Sequence, residues 1–166
     1  MRRETPCAAG LSYLDRQPER LVVEGYRHWM AGYESGSIEP WETAWSYYTA
    51  ELGAADGRRA VSDLSAFVRT LRGCAGCPLR IFPSGARHLC REECLAVGLV
   101  AACQHGDLDL EGCCISALAG CHRGIEIADA AGRYASTLKE IGQTLMPVPA
   151  QVLSDIVARS NQARFH

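Results

Sequence analysis

Nine cysteines in a chain of 166 residues are the first chemistry to weigh. The tightest constellation is Cys74-x2-Cys77, then twelve residues, then Cys90-x3-Cys94. Two short-spaced pairs joined by a loop of that size match what a zinc ion held by four thiolates needs. A CxxC turn lets two sulfurs converge on one ion. Cys90 and Cys94, at i and i+4 of a predicted helix, project from one face. A helix N-terminus also lowers a thiol pKa, which favours Cys90 as a ligand. Zinc bound by Cys74, Cys77, Cys90 and Cys94 would lock two helix ends across an irregular loop and contribute directly to folding. His88 is the alternative ligand, in a site of three cysteines and one histidine. An iron–sulfur cluster takes the same four thiolates, and Cys77-Pro78 matches the Cys-Pro ending of ferredoxin runs, but without their compact spacing.

A second group comprises Cys103, Cys113, Cys114 and Cys121, with His105 and His122 beside it. Cys114 and Cys121 lie seven apart and share a helix face with Leu110, Ala117, Leu118 and Ile125. That pattern reads as a core stripe, with thiols buried as small apolar groups. The alternative is a second metal site built from Cys103, His105, Cys121 or His122. Cys7 falls in a predicted tail and is expected to be free. No P-loop, GxGxxG turn, GxSxG elbow or HExxH helix occurs in the sequence, so no motif selects catalytic residues and the reading leans away from an enzyme.

The elements that must position these residues are helical throughout. Val22, Tyr26, Trp29, Met30 and Tyr33 recur at one-face helical spacing. Pro18 suits the first turn, and the stretch from Gly32 to Gly36 ends the helix. Trp41, Ala44, Trp45, Tyr48 and Leu52 repeat the pattern behind Ser37 and Pro40. A third helix opens at Asp56, carries Val61, Leu64, Phe67, Val68 and Leu71, and is stopped by Gly73. A fourth is predicted from about Gly85 to Gln104. Its second half is apolar on every side, as befits a central helix. Asp107 caps a fifth, running to about Cys121. A sixth steps from Ala128 to Leu145 and is stopped by Pro147, and a short seventh follows Pro149. The predicted fold is an all-α compact bundle of six or seven helices, with a metal-stapled loop between the third and fourth. Residues 1–16 are read as a flexible N-terminal tail, 17–160 as a single helical domain, and 161–166 as a C-terminal tail.

Charge is unevenly spread. Five acids and no base lie between Glu34 and Asp56, whereas seven arginines and one acid lie between Arg58 and Arg91. The basic segment 58–91 offers Arg69, Arg72, Arg80, Arg87 and Arg91 as contacts to nucleic acid, against an overall net charge of −2. The aromatic residues of the first two helices read as core or, alternatively, as a surface for a partner helix with the acidic flank as its rim. No run approaches the ~20 apolar residues of a membrane span, and no apolar stretch follows Arg2 and Arg3 as a signal peptide requires, so a cytoplasmic location and no membrane partner are expected. The leading functional expectation is a helical module with a structural four-cysteine zinc site, acting in regulation or assembly through protein partners. The alternatives are an iron–sulfur or thiol-based redox, electron-transfer or sensor protein, and a nucleic-acid-binding regulator.

Overall fold

The computed structural model describes residues 13–76, 78–120 and 123–163. Among these, a 3-10 turn at Tyr13–Asp15 precedes seven α-helices and there is no strand. The helices are α1 (Gln17–Ser35), α2 (Glu39–Leu52), α3 (Ala54–Cys74), α4 (Arg91–His105), α5 (Leu108–Ala119), α6 (Gly124–Glu140) and α7 (Ala150–Ala163). The first three pack as sequential neighbours, and α6 lies against both α3 and α4. Helix α4 runs through the centre, touching α1, α5, α6 and α7. All residues from Leu95 to Ala102 are buried, as expected of a helix apolar all round.

Close approach of α2 to α1 depends on two glycines. A Cβ at Gly32 would collide with the Trp41 indole, and one at Gly25 with the Tyr48 ring. Tyr48, fully buried, donates from its hydroxyl to the Leu21 carbonyl at 2.7 Å. Its oxygen also lies 2.5 Å from the Tyr134 hydroxyl of α6. Tyr134 stacks on Phe67 of α3, with ring centroids 5.9 Å apart. These contacts tie α1, α2, α3 and α6 into one core.

The loop between α3 and α4 is held by a buried ion pair. Arg27 of α1 binds Glu93 of α4 through both carboxylate oxygens, Nε to Oε1 at 2.7 Å and Nη2 to Oε2 at 3.1 Å. The other N–H groups of Arg27 reach the Ala86 carbonyl, the His88 carbonyl and Glu24, so all five donors are used. Glu93 in turn accepts from the backbone N–H groups of Phe82 and Cys90. Glu24 accepts from Ser84 and from the Gly85 N–H. An Arg–carboxylate fork of this kind is both strong and directional.

Several boundaries differ from the sequence reading. Helix α4 begins at Arg91 rather than Gly85, because Gly85 sits at φ 81° and Glu93 closes a capping box with Cys90. Helix α5 ends at Ala119, before Gly120 at φ 72°. Ile125 therefore belongs to α6 and is 80% exposed, not part of the stripe of Leu110, Cys114 and Leu118, which are buried. Helix α6 ends at Glu140, since Gly142 takes φ 83°. Leu145 is buried from the following segment instead, its N–H bonded to the buried amide of Gln104 at 2.8 Å. Gly73 lies inside α3 and does not stop it.

Candidate functional site

A groove of about 870 Å³ lies between α5 and α7. A smaller one of about 580 Å³ lies between α1 and α2, lined by Trp29, Ile38, Trp41, Glu42, Trp45 and Ser46. Its construction starts with Trp41, which sits against Gly32 where no side chain intervenes. The Trp41 Nε1–H donates to the Trp29 carbonyl at 2.9 Å. Trp29 stacks on Trp41 at 5.4 Å, and Tyr33 meets it edge-on at 5.2 Å. These contacts fix a rigid aromatic floor. Ile38, at the N-cap of α2, and Trp45, on the second turn, stand out from it at 61% and 43% exposure. Ile38, Trp41, Glu42 and Trp45 fall at i, i+3, i+4 and i+7, so the lining follows one face of α2. The rim is acidic: Glu39 and Glu42 occupy the exposed first turn of α2. All three tryptophans of the chain belong to this groove. The aromatic expectation thus divides, with Tyr26 and Tyr48 in the core and the tryptophans forming a surface.

Of the four proposed zinc ligands, Cys74, Cys90 and Cys94 are described and half-buried, while Cys77 lies outside the described residues. Cys74 is the last residue of α3, within electrostatic reach of Arg123. Cys90 is the N-cap of α4, with φ −78° and ψ 173°, and its carbonyl accepts from the Cys94 N–H one turn on at 3.0 Å. Its thiol donates to the Arg80 carbonyl at 3.2 Å. Burial pushes this thiol up to about 11. The Glu93 N–H opposes the shift, while the charges of Glu93 and Glu92 add to it. The lowering expected from the helix N-terminus is thus outweighed. Cys94 is likewise pushed up to about 11 by burial, then by Glu93 and Glu92. His88 is exposed, and its carbonyl rather than its ring serves the loop, accepting from Arg27. Among the described residues no group of three or more His, Cys, Asp or Glu side chains is arranged to hold a metal ion.

In the second group, Cys114 is fully buried beside Gly98 and Leu153, in keeping with its core assignment. Burial raises the thiols of Cys103 and Cys114 to about 12. Cys113 is exposed. The His105 ring donates to the Leu145 carbonyl at 2.7 Å and so fastens the segment before α7. Cys121 and His122 lie outside the described residues, as does Cys7.

Within the basic segment, Arg69, Arg72, Arg80 and Arg87 are exposed. Arg72 lies 4.6 Å over the Tyr33 ring. Arg91 is half-buried and donates to the Ala117 carbonyl at 3.2 Å. Four of the five arginines are thus exposed, and Arg91 is held to the bundle.

Sequence reasoning missed Arg27 and Glu93. The signal was present: Arg27 lies four residues after Val23 and three before Met30, both core positions, and a charge there demands a buried partner. No family model matches the chain, and no curated protein or solved structure matches it significantly.

Proposed function

We propose that this chain is a helical interaction module whose α1–α2 groove docks protein partners in regulation or assembly. The observation that carries the reading is the exposure of Ile38 and Trp45 on a floor fixed by Trp29 and Trp41. Aromatic anchors in rigid, concave surroundings are the usual centres of protein–protein recognition. The test is selection of a displayed peptide library on the full chain, with counter-selection on Trp45→Ala. Because Trp45 is exposed, that substitution leaves the bundle intact. Enriched peptides that bind the wild-type chain and lose affinity for the variant are the expected result. Enrichment indifferent to Trp45→Ala, or none, overturns the reading.

Zinc on Cys74, Cys77, Cys90 and Cys94 is a separate proposal, and the docking reading does not depend on it. The Arg27–Glu93 pair already gives the α3–α4 loop a fixed path. Elemental analysis of purified chain and of Cys77→Ser tests the metal: one zinc per chain, lost in the variant, supports it. Iron in its place selects the iron–sulfur alternative, and a metal-free chain removes both.

A further inference from the structure

Resting on the docking reading, we infer that the groove takes a basic amphipathic helix, one with apolar anchors on one face and lysine or arginine flanking them. Three features of the site lead there.

The apolar lining is linear. Ile38, Trp41 and Trp45 run along about two turns of α2. A helix laid beside this row presents its own anchors at i, i+3 or i+4, and i+7, the spacing used when amphipathic helices fill grooves.

The charged residue in the groove lining is an acid, Glu42, while Arg72 is engaged over the Tyr33 ring. Glu42 lines the groove and Glu39 stands next to Ile38 on the same first turn of α2; both are exposed, and neither has an ion pair among the described residues. Glu34, Glu51 and Asp56 of the same acidic stretch are likewise exposed and without an ion pair among the described residues. First-turn acids suit the dipole of α2. The dipole does not account for the absence of any lysine or arginine from Glu34 through Asp56.

The acids discriminate among occupants. A membrane-surface site pairs exposed tryptophan with basic residues that meet anionic lipid. Nucleic acid likewise needs cations against phosphate. A second copy would bring acid rim against acid rim. A basic helix satisfies the apolar floor and the rim together.

Three synthetic peptides test this, sharing one apolar face and differing only in flanks of lysine and arginine, glutamine, or glutamate. Each is titrated into the full chain at low and high salt. Intrinsic tryptophan fluorescence reports on the groove specifically. Two exposed ion pairs give the basic peptide an expected advantage of about 2- to 30-fold over the glutamine peptide, with the glutamate peptide weaker still. The advantage shrinks in high salt and is lost in the Glu39→Gln/Glu42→Gln variant. Trp45→Ala weakens all three. Equal binding of the three peptides overturns the inference, as does a preference that survives removal of both glutamates. If none of the three binds but library-selected peptides do, the partner chemistry fails while the docking reading stands. A concentration-dependent dimer abolished by Trp45→Ala assigns the groove to a second copy, and this too overturns the inference.

Discussion

Replacing Arg27 with alanine should destabilise the fold by about 3–5 kcal/mol, the range for breaking a buried ion pair from one side. Glu93 is fully buried and would lose its only arginine partner. It would keep the backbone N–H groups of Phe82 and Cys90, at 2.8 and 3.0 Å, so its oxygens are not stripped bare. The carbonyls of Ala86 and His88 lie in a loop open to water, which can replace the lost donors. Both facts place the expectation toward the lower end of the range, about 3–4 kcal/mol. Against a typical total of about 5–15 kcal/mol that is a large fraction. Urea denaturation followed by far-UV circular dichroism reads the loss. Limited trypsinolysis reads its location, because Arg80 and Arg87 lie exposed in the released loop and should be cut first. The double variant Arg27→Met/Glu93→Gln should recover about 1–3 kcal/mol relative to the sum of the single changes, since the two residues act as a unit. A loss under about 1 kcal/mol, with the loop as protease-resistant as before, would refute the reasoning. It would also show that something else fixes the loop, the four-thiolate zinc centre being the named candidate.

Acid should weaken the same network. Burial raises the Glu24 pKa, but bonds from Ser84 and the Gly85 N–H together with the Arg27 charge more than offset it, leaving the group below its ordinary 4.5. A depressed carboxylate stabilises the fold above the unfolded value, and that contribution disappears as pH falls through the folded one. Glu24→Gln should therefore flatten the acid limb of a stability–pH curve below about pH 4.5; an unchanged limb counts against the assignment. Gly32→Ala should cost about 1–3 kcal/mol by displacing Trp41, and the tryptophan emission should shift with the melting temperature. Tyr48→Phe should cost about 1–3 kcal/mol by leaving buried polar groups unmatched, and adding Tyr134→Phe should cost less than a second such loss. Thiol alkylation at pH 8, mapped by mass spectrometry, should label exposed Cys113 well before Cys90, Cys94, Cys103 and Cys114, which burial holds at about 11 to 12. Equal rates would contradict the burial.

Helix periodicity made most of the fold legible. Val22, Tyr26 and Met30, then Leu64, Phe67 and Leu71, stand buried on the faces their spacing indicates. The apolar run in α4 marked the centre of the bundle correctly. Helix ends were less legible where one left-handed glycine decides them. Gly85, Gly120 and Gly142 moved three boundaries and placed Ile125 and Leu145 in different surroundings. The candidate groove was only half-visible. Spacing puts Trp41 and Trp45 on one stripe, but the stacking of Trp29 on Trp41 depends on a crossing at Gly32 that periodicity does not encode. The Arg27–Glu93 pair spans 66 residues of sequence and needed the tertiary fold to be seen.

The docking claim is met most directly by nitrogen–proton correlation spectra of the tryptophan indole groups during titration with the basic amphipathic peptide. The chain has three such signals, from Trp29, Trp41 and Trp45. Saturable shifts led by Trp45, with backbone shifts confined to α1 and α2, are what the groove predicts. Indole signals that stay put while residues elsewhere in the bundle respond would contradict it.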